Sequence, residues 1–99
     1  MLILSKNFIS SIPKNNFDSF KQLDVLDLHD NRLSGKLDFS IYLKKLTNLR
    51  ILNLSGNQLE EIEITCSMMS LVELNLRGNK IKNLKIGLGV KGLKEIQFD

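Results

Sequence analysis

Leucines recur along this chain in a fixed alternation with polar residues. The stretch Leu71–Ile81 reads LVELNLRGNKI, with apolar residues at its first, fourth, sixth and last positions and an asparagine at its ninth. The same eleven-residue frame occupies Leu23–Leu33 and Leu49–Leu59. A shortened copy opens the chain at Leu2–Ile9, and a cut-off copy closes it at Leu93–Phe98. The whole chain therefore follows one repeating pattern, and no change of composition indicates a second domain.

Each frame contains the triplet L-x-L, and alternate side chains of an extended chain face opposite sides. We therefore expect a short strand in each frame, with Leu26 and Leu28, for example, directed inward. Three or four leucines cannot close a core alone, so successive frames must stack in parallel. An asparagine follows each strand and can satisfy backbone groups at the turn. Stacking predicts a ladder of Asn7, Asn31, Asn57 and Asn79, which recur every 22 to 26 residues.

The segments between the frames must return the chain across the opposite side of the stack. Residues 40–46 are compatible with a short helix because two leucines have i, i+3 spacing. Three glycines in residues 82–92 favour a tight, irregular return. We expect the apolar residues of the returns to face the core, the methionines as gap-fillers: Ile12, Phe17, Phe20, Leu37, Phe39, Ile41, Leu43, Leu46, Ile62, Ile64, Met68 and Met69.

The frame and its period resemble those of the leucine-rich repeat family. The resemblance covers nearly the whole chain, and the return from Ile12 to Phe20 resembles the "typical" repeats of extracellular members. It implies an α/β fold: a curved right-handed solenoid, four to five repeats over residues 1–99, with a parallel sheet on its concave face and a mostly irregular convex side. Terminal caps are not visible, so we expect a segment truncated at both ends, or one capped by a partner chain.

The resemblance also implies a function, because members of the family hold protein ligands on the concave strand face. We expect a non-catalytic protein-binding module, part of a larger receptor or adaptor. Arg77 is the best single anchor, since arginine is enriched at interface hot spots. The alternatives are the targeting arm of an enzyme whose catalytic domain lies outside this chain, and a structural remnant. The predicted contact residues are Asp27, His29, Asn53, Ser55, Glu73, Asn75, Arg77 and Gln97.

Composition and hydrophobicity exclude some classes of partner. The net charge is only +3, and acidic residues are mixed among the lysines, so we expect no nucleic-acid partner. No apolar run approaches 18 residues, so we expect no membrane contact by this segment. Uncapped ends would allow self-association. The localisation leans towards an extracellular or cell-surface ectodomain, with a cytoplasmic protein as the alternative.

Catalytic and metal-binding chemistry has little support in the sequence. His29 lies between Asp27 and Asp30, but neighbours along a strand point to opposite faces, so we expect a solvated surface and no metal. Cys66 is the only cysteine, and a buried inert thiol is favoured over a reactive one. No cofactor motif is present. Asn53-Leu54-Ser55 matches the N-x-S glycosylation acceptor, which this frame tends to produce in any case.

Overall fold

The computed structural model describes residues 1–13, 17, 19–64, 68–87 and 92–97. Eight strands and one four-residue helix run along these residues. In chain order they are β1 Leu2–Ile3, β2 Val25–Asp27, β3 Ser34–Asp38, α1 Phe39–Tyr42, β4 Ile51–Asn53, β5 Gln58–Ile64, β6 Glu73–Asn75, β7 Asn83–Ile86 and β8 Glu95–Gln97.

Five of these strands form the parallel sheet that the leucine pattern predicts, in the order β1-β2-β4-β6-β8. Leu26 is in register with Leu52, and Leu52 with Leu74. All three leucines are buried on the inner side of the sheet. The predicted solenoid with one strand per frame is therefore confirmed. We call the outward surface of this sheet the concave face.

The returns form a second parallel sheet, β3-β5-β7, where the sequence predicted a mostly irregular side. Stacking explains it, because successive returns run side by side at about the 4.8 Å spacing of a sheet. Isoleucines of β5 pack inward while charged residues face out. Glu63 lies between Lys36 at 3.4 Å and Lys85 at 3.6 Å, so ion pairs link all three strands. The predicted helix is shorter than expected and begins earlier, at Phe39.

The core lies between the two sheets and consists mainly of the predicted leucines and isoleucines. Three expected core residues are instead exposed. Phe20 is 44% exposed and lies against the buried Phe17, with ring centroids 6.2 Å apart. Ile41 is 41% exposed because Phe39 takes the inward position of the short helix. Met69 is 71% exposed, since its neighbour Met68 fills the interior. The prediction for Cys66 lies outside the described residues.

The predicted asparagine ladder joins successive repeats at Asn31, Asn57 and Asn79, whereas the side chain of Asn7 is exposed and bonds only to its own turn. The Asn57 side chain is buried, and its Oδ1 accepts a hydrogen bond from the backbone N–H of Leu33 at 3.0 Å. Its Nδ2 donates to the carbonyl of Leu54 at 3.0 Å and to the carbonyl of Leu28, one repeat earlier, at 3.1 Å. Asn31 and Asn79 repeat this arrangement. Each asparagine thus fixes the spacing of two neighbouring turns.

Candidate partner-binding face

The concave face presents its side chains in columns that run across the strands, in the predicted register. The first column consists of Val25, Ile51, Glu73 and Glu95, and the second of Ile3, Asp27, Asn53, Asn75 and Gln97. Backbone hydrogen bonds extend the pairing beyond the strand ends. They place Ser5, His29, Ser55 and Arg77 in a third column; Asp99, the expected fifth member, lies outside the described residues. All eight predicted contact residues therefore share one surface.

The second column is held in a fixed orientation by local hydrogen bonds. The Oδ1 atom of Asn53 accepts from the backbone N–H of Ser55 at 3.0 Å and from its hydroxyl at 2.7 Å. The Oδ1 atom of Asn75 likewise accepts from the backbone N–H of Arg77 at 3.1 Å. A backbone N–H can only meet the oxygen of the carboxamide, so the amide group of each side chain is directed away. Within the described residues, neither Nδ2 group has a hydrogen-bond acceptor.

This arrangement was not predicted from the sequence. The signal is the polar residue that follows an asparagine by two positions in L-N-L-S and L-N-L-R, which permits the local side-chain-to-backbone turn typical of Asn and Asp. Asp27 makes the same bond to the backbone N–H of His29, at 3.0 Å. The second column therefore presents a carboxylate in a fixed orientation at Asp27 and amide donors in fixed orientations at Asn53 and Asn75.

His29 and its two aspartates lie closer together than the strand alternation predicted. His29 Nδ1 is 2.5 Å from Asp27 Oδ1, and His29 Nε2 is 3.9 Å from Asp30 Oδ2. Asp27 and His29 are two residues apart and so face the same side. Asp30 joins them because its φ of 55° turns the chain at the end of the strand. Across the described residues, His, Cys, Asp and Glu side chains form no group of three or more that could hold a metal ion.

Charge is separated along the strands of this face. Glu73 and Glu95 lie directly opposite each other at the first column, and both are exposed. Arg77 is exposed at the third column, four residues further along than Glu73. Among the described residues neither Glu73 nor Arg77 makes an ion pair. A shallow cavity of about 110 Å³ lies beside Glu73, lined by Ile51, Leu52, Asn53, Glu73, Leu74, Asn75 and Gln97.

Comparison with known proteins agrees with the architecture. Residues 21–66 match the family model described as Leucine Rich repeats, in two copies. Residues 21–66 of this chain carry leucine-rich repeats. It is also similar to keratocan of Danio rerio, with 40% identity over 63 residues. The aligned stretch covers 64% of this chain and 18% of the length of keratocan.

The family resemblance is thereby confirmed. Leucine-rich repeats generally mediate protein–protein interactions. Within the part of the chain that the structure describes, no helix combines the length and apolar character needed to cross a membrane.

Proposed function

We propose that this chain is a non-catalytic module that holds a protein ligand on its concave face. The observation that carries the proposal is the pair of fixed amide donors at Asn53 and Asn75, which have no acceptor within the described residues. Neighbouring strands lie about 4.8 Å apart, so the two donors form a short row. Such a row is suited to oxygen atoms of a partner's main chain or polar side chains.

The fixed orientation of these groups favours binding. Side chains that are ordered before association lose less conformational entropy when a partner binds, and that loss is about 0.5–1.5 kcal/mol for each immobilised side chain. The Oδ1 bonds of Asn53 and Asn75 provide this order. Arg77 adjoins Asn75 and offers five donors without an internal ion pair among the described residues. We assign it the role of anchor.

We further propose that the module belongs to a larger receptor or adaptor at the cell surface or outside the cell. Leu2 and Ile96 on the two outer strands of the five-stranded sheet are only partly buried against the core. Further repeats or a second copy would bury them more fully. The return through Pro13 and Phe17 and the similarity to keratocan support the extracellular assignment.

Site-specific photo-cross-linking tests the proposed binding face. A photoreactive residue replaces Gln97, beside Asn75 on the concave face, in one variant and the exposed Lys85 of the second sheet in a matched control. We expect the Gln97 position to yield a discrete adduct with one protein, and excess wild-type chain to compete for it. An adduct that forms only from Lys85 would contradict the proposal and place the partner on the other sheet.

Arg77→Ala provides a second, quantitative test with the cross-linked partner. The side chain is exposed and makes no ion pair within the described residues, so the substitution is expected to leave the free energy of unfolding within about 0.5 kcal/mol of the wild type. Affinity for the partner is expected to fall by about tenfold or more, as for a hot-spot arginine. Unchanged affinity, measured by calorimetry, would remove Arg77 from the site.

A further inference from the structure

The first column of the concave face combines an apolar half with an acidic half. Val25 and Ile51 are half-buried, whereas Glu73 and Glu95 are exposed carboxylates in direct register on neighbouring strands. Like charges directly opposite each other destabilise a sheet. The pair does not reflect an acidic protein, because the net charge of the chain is +3. The structure thus holds two repelling carboxylates at the position where a partner would approach.

Within the described residues, no neighbouring lysine or arginine forms an ion pair with Glu73 or Glu95. Arg50, which precedes Ile51, lies 3.9 Å from Asp24, and Lys94 makes no ion pair within the described residues. The carboxylate of Glu73 has neither an ion pair nor a hydrogen bond within the described residues, and the carboxylate of Glu95 accepts only a hydrogen bond from the Gln97 side chain there. Elsewhere the chain does pair its acids, since Glu60 lies 3.0 Å from Lys82 and Glu63 lies between two lysines. Glu73 and Glu95 therefore remain open to an external cation.

The surroundings indicate how that cation would arrive. The cavity beside Glu73 lies between Ile51, an apolar side chain, and the amide groups of Asn53 and Asn75. A lysine or arginine has an apolar stem that can lie along Ile51, and a charged end that can reach both carboxylates. The main chain that carries it would bring its carbonyl oxygens towards the two fixed amide donors. The size of the cavity, about 110 Å³, suits a single side chain.

From this arrangement we infer that the concave face binds an extended protein segment through a lysine or arginine, whose cation lies between Glu73 and Glu95. This inference rests on the proposed function and specifies the chemistry of the partner. Opposite charges across an interface fix the register of binding and exclude partners that present an acid there. Glu73 and Glu95 are then specificity residues, while Asn53 and Asn75 hold the main chain of any bound segment.

Selection from a displayed library of random short peptides tests the inference on the full chain. Three targets are compared: the wild type, Glu73→Gln/Glu95→Gln, and Glu60→Gln/Glu61→Gln as a control that removes two charges from the second sheet. We expect wild-type selection to enrich peptides with a lysine or arginine at one position. The Kd of these peptides should rise by about tenfold for Glu73→Gln/Glu95→Gln and stay unchanged for the control.

Two further changes, one in the peptide and one in the chain, distinguish failure of this inference from failure of the proposed function. Replacing the basic residue of a selected peptide by methionine should weaken binding to the wild type, but not further weaken binding to Glu73→Gln/Glu95→Gln. Asn53→Ala/Asn75→Ala reports whether a peptide occupies the concave face at all. Peptides that need the two asparagines but carry no basic residue would overturn the inference and leave the proposed function standing. Selection that yields no peptide sensitive to any concave substitution would overturn both.

Discussion

Replacing Asn57 by alanine tests the asparagine ladder at one of its two buried positions. The substitution removes the acceptor for the Leu33 N–H and the donor to the carbonyls of Leu28 and Leu54. These two carbonyls keep a second partner, because Asn31 Nδ2 donates to Leu28 and Asn79 Nδ2 donates to Leu54. The Leu33 N–H has no other acceptor among the described residues and becomes a buried, unsatisfied donor.

The expected loss of stability follows from the hydrogen bonds that the substitution removes. A buried N–H left without a partner costs about 1–3 kcal/mol, and each of the two other lost bonds costs about 0.5–1.5 kcal/mol. We therefore expect Asn57→Ala to lower the free energy of unfolding by about 2–6 kcal/mol. A small domain has a total stability of about 5–15 kcal/mol, so this loss is a large share of the total and is well within the range that unfolding experiments resolve.

Urea unfolding followed by circular dichroism measures the difference against a matched control. Asn7 occupies the equivalent turn, but its side chain is exposed and donates only to the carbonyls of Leu4 and Ser5. Asn7→Ala should therefore cost less than about 1 kcal/mol. If Asn57→Ala were no more destabilising than Asn7→Ala, the ladder would not be the link between repeats that we describe.

Two further substitutions test local geometry. Gly56 has a φ of 68°, and an added Cβ would lie 2.0 Å from the Asp30 Oδ1 atom, whereas Gly35 has a φ of 69° with no atom within 4 Å. Gly56→Ala should therefore lower the urea midpoint more than Gly35→Ala; equal effects would show that only the backbone conformation matters. The hydroxyl of Ser40 lies 2.5 Å from Asp38 and is the main cause that holds the pKa of that carboxyl below its ordinary value of 3.8. Because the folded pKa is lowered, this stabilisation is present above pH 3.8 and is lost as the pH falls through the lower folded pKa. Ser40→Ala should thus lower the Tm at neutral pH and have a smaller effect in acid; a pH-independent difference in thermal unfolding would contradict this cause.

Much of the fold could be predicted because the leucine frame has a strict period. Residues with period-two alternation, such as Leu26 and Leu28, determine both the strand and its inner face. The second sheet was missed because β5 does not alternate cleanly: Glu60 and Glu61 both lie towards the outside. The register between β3 and β5 shifts after Gly35, which accommodates this irregularity. A bulge of this kind removes the period that sequence reasoning depends on.

The candidate site could be predicted in position but not in detail. Register alone places Asn53, Asn75 and Arg77 on one face, because stacked frames align equivalent residues. The orientation of the amide groups depends on hydrogen bonds to the backbone two residues further on, which requires the turn to be known. The approach of Asp30 to His29 depends on the positive φ of Asp30. A positive φ is uncommon at residues other than glycine, so the sequence pattern does not indicate it.

The central claim is that a protein partner binds the concave face, and nuclear magnetic resonance tests it most directly on a chain of 99 residues. The ¹⁵N-labelled chain is titrated with the contacting segment of the cross-linked partner. We predict that the side-chain amide resonances of Asn53 and Asn75 shift most, together with the backbone signals of β4, β6 and β8. Shifts confined to β3, β5 and β7, with both side-chain amides unchanged, would contradict the account.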